Sequence, residues 1–183
     1  MQRAVPRNEP YAFVEELAVS KLPPLVSPAN APTPPVWLRF GRLSRRRRTL
    51  LIEALLWLAL ARIALLTAPF ARIARYLGAF VSPAEGRALI QSDRPSPAQA
   101  ALAREIGWAV TRAAHHAPFE AVCLPQAMAA KLMLRRRSIP SALSFGTLGT
   151  PTDGLKCHAW LDAAGVHVTG YPVAKFTEIG CLI

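Results

Sequence analysis

At Ser138-Ile139-Pro140 the chain changes its period. Proline cannot continue a helix and biases the residue before it to extended backbone, so the tripeptide reads as an exit turn. Upstream, apolar residues recur at helical spacing. Downstream they alternate, as residues on a half-buried strand do. Ala142-Leu143-Ser144-Phe145, Cys157-His158-Ala159-Trp160-Leu161 and Val166-His167-Val168-Thr169 read as strands, and Phe176 to Ile183 as a fourth. Ala163-Ala164-Gly165 is the tight turn that makes the second and third antiparallel, and Gly146 to Leu155 is a turn-rich connection. Helices first and a small antiparallel sheet after them define an α+β domain. No internal repeat is present.

The helical half is marked by caps. Ser44 can cap a helix through about Leu66. Its apolar residues run round nearly the whole circumference, which predicts a central place in the helical layer. Phe70 to Leu77 forms a second helix, closed by Gly78. Ser82-Pro83-Ala84-Glu85 and Ser96-Pro97-Ala98-Gln99 are capping boxes. The second opens a helix to about His116 with Leu102, Ile106, Ala109 and Ala113 on one stripe. His115 and His116 fall in its last turn, where a cationic imidazole suits the dipole; they are expected to be structural or solvent-facing rather than metal ligands. The last helix, Cys123 to Leu134, ends in Arg135-Arg136-Arg137, which suits a negative helix end.

Residues 1–40 form a Pro-rich N-terminal extension, with a short helix over Tyr11–Lys21 and a linker or strap from Leu22 to Pro35. Packing is expected to resume at Trp37, Leu38 and Phe40, so that 41–183 is one domain. The first twenty residues carry Arg3, Arg7, Glu9, Glu15 and Glu16 and no apolar core, so no secretory signal is expected there. The stretch from Thr49 to Phe70 has the length of a membrane span, but Glu53 and Arg62 interrupt it. Net charge is +11, which attracts nucleic acid, anionic membrane or acidic proteins. No nucleic-acid motif accompanies the arginines, so nucleic acid is set aside. Arg45 to Arg48 oppose the dipole of the helix they begin. They are either a solvated basic end or a docking patch for a partner, peripheral membrane contact included.

Cys123, Cys157 and Cys181 are odd in number and widely spaced, which fits free thiols in a reducing, cytoplasmic setting. No Cys-x-x-Cys pair exists, and neither metal nor cofactor is implied. With Cys123 as N-cap, Pro125 falls at N2 without a donor and the next free N–H is that of Gln126. The sulfur then meets a backbone N–H and the positive end of the helix dipole, which favours thiolate. Strand alternation puts His158, Trp160 and Asp162 on one face and Cys157, Ala159 and Leu161 on the other. Cys157 thus points away from His158, and both it and Cys181 are expected to be small buried hydrophobes. A cysteine at a helix start with a histidine on a later strand is a nucleophile–base arrangement.

Three blocks carry a resemblance: Cys123-Leu124-Pro125-Gln126-Ala127, the Arg135-Arg136-Arg137-Ser138-Ile139-Pro140 turn, and His158-Ala159-Trp160-Leu161. In this order they resemble the leader peptidase of lasso-peptide biosynthesis, in the transglutaminase-like cysteine protease superfamily. The likeness covers about residues 41–183. It implies a papain-like core with Cys123 as nucleophile and His158 as general base. It also implies cleavage between leader and core of a ribosomally made precursor, ahead of an ATP-dependent cyclase. The leader is then recognised by a separate protein, since residues 1–40 are too short and Pro-rich for a recognition domain. The pattern departs in one place: the acid expected to orient the histidine falls near Thr169-Gly170-Tyr171, where no carboxylate stands. Either Cys123 and His158 act as a dyad, or Asp162, Thr169 or a backbone carbonyl orients the histidine. The competing reading is a non-catalytic, basic membrane- or partner-docking module.

Overall fold

The computed structural model describes residues 43–92, 95–149, 154–173 and 175–183. The expected N-terminal helix, Pro-rich strap and Trp37–Phe40 return lie outside them. Five helices precede most of the sheet: α1 (Arg45–Thr67), α2 (Phe70–Leu77), α3 (Pro83–Ser92), α4 (Pro97–His116) and α5 (Cys123–Arg135). The strands are β1 (Phe80–Val81), β2 (Ser141–Leu148), β3 (Lys156–Ala163), β4 (Val166–Thr169) and β5 (Thr177–Leu182). They form one antiparallel sheet in the order β1-β5-β2-β3-β4. The α+β architecture is thus present, with helices leading and the sheet following. The two-residue β1, ahead of the period change, has too few residues to show a period of its own.

The caps form as their residues dictate. Ser44 Oγ accepts from the Arg47 N–H at 3.3 Å. Ser96 Oγ accepts from Gln99 N–H while Gln99 Oε1 accepts from Ser96 N–H, closing the box at both ends. Ser82 and Glu85 make the same reciprocal pair at the start of α3. Gly78 ends α2 at φ +152.

The sheet has two unlike faces. Leu143, Leu161, Leu182 and Thr169 lie in register across four strands and turn towards α5 and α4. Ser144, Trp160 and Cys181 lie in register on the other face, where α3 packs. α4 approaches β4 closely at Gly107, where a Cβ would collide with the Val168 carbonyl. α5 is central: it packs against α1, α4, β2 and β3, and Ala127 to Lys131, Met133 and Leu134 are all buried.

α1 departs from its expected place. It packs on α4 and α5 rather than on the sheet, and buries only Leu50, Ala54, Leu58 and Ala61. Ile52, Leu56, Leu60, Ile63 and Leu66 on its opposite side are each more than half exposed. The central position that its composition predicted belongs to α5, because a single sheet offers one core face and α4 and α5 occupy it. Glu53 explains itself here. Its carboxylate accepts from both terminal nitrogens of Arg137, at 3.0 and 2.6 Å, and Arg136 stands 3.5 Å away. The arginine run that ends α5 therefore ties down α1. The Arg137 hydrogen bond holds the Glu53 carboxyl below the usual carboxylate range.

Candidate active site

α5 begins one residue earlier in its cycle than expected. Val122 is the N-cap and Cys123 the first helical residue, so Pro125 falls at N3. The cause is the chain leading in: the Gln126 N–H donates to Val122 O at 3.3 Å, and Gln126 Nε2 donates to Ala121 O at 2.6 Å. Gln126 is thereby committed to fixing the entry to the helix and offers its N–H to no sulfur. The donors left open in the first turn are the N–H groups of Cys123 and Leu124, unpartnered among the described residues. Two free N–H groups at a helix mouth form a receptor for negative charge. Cys123 itself is half-buried.

His158 lies near the start of β3, beyond the last pairing of β3 with β4 at Leu161–Thr169. The strand edge is open there, and the chain leaving β4 folds back to fill it. His158 Nε2 lies 2.6 Å from Gly170 O. A carbonyl only accepts, so Nε2 carries the hydrogen and a neutral ring presents its lone pair at Nδ1. The ring is flanked by Phe176, with centroids 4.8 Å apart, and by Trp160 at 6.2 Å. Gly170 has φ +84, and a Cβ there would lie 2.8 Å from Trp160 Cα. The carbonyl can reach the imidazole because the residue carrying it has no side chain.

The two candidate orienting side chains do other work. Asp162 accepts from Tyr171 OH at 2.7 Å and contacts His167 Nδ1 at 2.8 Å; it does not reach His158. Thr169 is buried opposite Leu161, its hydroxyl without a partner among the described residues. Between Thr169 and Tyr171, where the resemblance implied an orienting acid, the Gly170 carbonyl meets the imidazole. The Asp162–Tyr171 hydrogen bond and the stacking of His167 on Tyr171, at 3.9 Å, hold the residue after Gly170. Burial first and the Asp162 hydrogen bond second push the Tyr171 hydroxyl well above its ordinary range, keeping it a donor.

The face assignment holds, with a consequence. Trp160 and Asp162 line a cavity of about 470 Å³ together with Tyr171, Phe176 and Glu178, whereas Ala159 and Leu161 belong to the core under α5. No hydrogen bond joins Cys123 Sγ to the His158 ring among the described residues. Cys181 is buried as expected, its thiol pushed up by burial. Cys157 is exposed, contrary to expectation: it stands beside Lys156 at the solvent-exposed start of β3. His115 and His116 face solvent.

One residue of consequence escaped notice. Lys131 sits in the buried run of α5 at 4% exposure. Its Nζ donates to Ser141 O at 2.9 Å and Leu182 O at 3.1 Å, pinning the helix to the start of β2 and the end of β5. Burial, with Arg135 nearby, lowers its pKa to about 8. A lone lysine within Ala-Met-Ala-Ala-Lys-Leu-Met-Leu was the available signal.

A model of the transglutaminase-like superfamily matches residues 64–181, more than half of the chain and a span that holds both Cys123 and His158. The chain belongs to that superfamily, which includes cysteine proteases. No curated protein and no solved structure matches it significantly.

Proposed function

We propose that this chain is a cysteine peptidase that removes the leader from a lasso-peptide precursor, with Cys123 as nucleophile and His158 as base. The observation that carries the reading is the imidazole held by the Gly170 carbonyl, which leaves Nδ1 as the basic nitrogen. Superfamily membership and the cysteine in the first turn of α5 support the same roles. The CLPQA, RRRSIP and HAW blocks support the narrower substrate. The partners are the precursor leader, a separate leader-recognition protein and the cyclase that uses the freed amine. The setting is cytoplasmic.

In this mechanism the Cys123 thiolate adds to the scissile carbonyl, and the oxyanion is met by the open N–H groups of Cys123 and Leu124. Protonated His158 gives its Nδ1 proton to the leaving amine as the C–N bond breaks. Water, deprotonated by the same nitrogen, then hydrolyses the thioester and restores the thiolate. No hydrogen bond joins the two side chains among the described residues, so this mechanism requires Cys123 and His158 to come together on substrate binding.

The test is leader cleavage by purified protein plus recognition partner: Cys123→Ala and His158→Ala should each lose at least about 10³-fold in rate. Wild-type cleavage by Cys123→Ala would end the proposal. The docking-module reading draws on the missing Cys–His hydrogen bond. Alkylation by iodoacetamide at about pH 6 separates the two, since an activated thiolate reacts there and a structural thiol stays inert.

A further inference from the structure

We propose that the outer face of α1 is a docking surface for an anionic lipid bilayer, on which the helix lies in the plane of the membrane interface. Ile52, Leu55, Leu56, Leu60, Ile63 and Leu66 are all exposed. At 100° per residue they fall within an arc of roughly 140°, a continuous stripe along one side of the helix. An apolar patch of this extent is rare on a surface that meets only water.

The charges around the stripe identify the occupant. Residues 45–77 contain seven arginines and one acid, Glu53. That acid is turned inward and held by Arg137. Arg46 pairs with Glu105, Arg47 lies over Trp108, and Arg62 stands 3.8 Å from Glu120. Arg45 at one end of α1, and Arg72 and Arg75 on α2 beyond the other, remain exposed. The surface is thus apolar along its length, cationic at both ends, and free of exposed carboxylates within residues 45–77. Lipid headgroups and the acyl boundary beneath them offer the complementary arrangement.

Packing argues against a transmembrane course. The 23 residues of α1 are long and apolar enough to cross a bilayer. Yet Leu50, Ala54, Leu58 and Ala61, on the side opposite the stripe, are packed against α4 and α5. Spanning would tear that side from the core. Lying flat, the helix buries its stripe and keeps its packing.

The test uses the full chain and vesicles of phosphatidylcholine, alone or with about three-tenths phosphatidylglycerol. The chain should sediment with the anionic vesicles and bind at least about 10-fold more weakly to the neutral ones or in about 0.5 M salt. Ile63→Glu should weaken binding about 10-fold, with an unchanged thermal melt. Leu60→Glu serves if that variant fails to fold. Leu66→Trp emission should move to the blue when anionic vesicles are added. Failure to bind anionic vesicles, or binding that Ile63→Glu leaves intact, overturns the proposal. So does a dimer that Ile63→Glu converts to monomer, which makes a second copy the occupant. Resistance to alkaline carbonate extraction would show a span instead. Cleavage by Cys123 can fail without touching any of these readouts.

Discussion

α1 and α5 read alike in sequence: each is apolar on nearly every side, and each carries basic residues at one end. In the fold they part. α5 is sealed between the sheet, α4 and α1, so even its lysine is buried. α1 rests on two helices and leaves Ile52, Leu55, Leu56, Leu60, Ile63 and Leu66 outside. The difference teaches that an all-apolar helix has one reading by composition and two by position. What decides is how many faces of the layer beneath are left to cover.

The comparison can be broken by mutation, beginning with the largest effect. Leu134→Ala in α5 and Leu58→Ala on the inner side of α1 should each cost about 2–5 kcal/mol by denaturant unfolding, since both sites are fully buried. Equal costs would show that the inner face of α1 is core in the same sense as α5.

Lys131 gives a pH signature. Its pKa is about 8 when folded and 10.5 otherwise, so between those values the unfolded chain holds the extra proton. Stability therefore rises with pH across that window relative to Lys131→Met, by at most about 3 kcal/mol. Parallel stability curves for the two proteins would mean that the lysine is solvated.

Glu53→Gln should cost about 2 kcal/mol, because it leaves Arg137 without its anion where α1 meets α5. The Glu53 pKa is lowered in the fold, so its contribution is present above the unfolded value of 4.5 and fades as pH falls below it. Urea melts from about pH 6 to 3 should show the variant and wild type converging.

Tyr171→Phe removes one hydrogen bond and should cost about 1 kcal/mol. Its sharper readout is the nitrogen NMR spectrum of the His158 ring. Wild type should show the Nε2–H tautomer, and the variant a mixture, because the Gly170 carbonyl is then less firmly held. Leu56→Ala, on the outer side of α1, should fall within about 0.5 kcal/mol of wild type without vesicles. A larger loss would mean that this face is covered.

The helix caps, the change of period at Pro140 and the faces of β3 were legible because each follows from local chemistry: a hydroxyl three residues before an acceptor, a missing N–H, an alternation. The candidate nucleophile and base were legible through their settings and the family likeness. What orients His158 was not. A backbone carbonyl has no side chain to read, and Gly170 gives no sign that it folds back twelve residues onto the imidazole. The α5 boundary moved by one residue because Gln126 binds the chain before the helix.

By itself the sequence determined that helices precede a small antiparallel sheet, that Cys123 opens a helix and that His158 shares a strand face with Trp160. Those are short-range consequences of backbone sterics and periodicity. Only the tertiary structure decided that α5 and not α1 is central, that Lys131 is buried, and that a glycine carbonyl stands where an acid was expected. Each depends on which surfaces meet, and that is set by the burial of the whole chain rather than by any stretch of it.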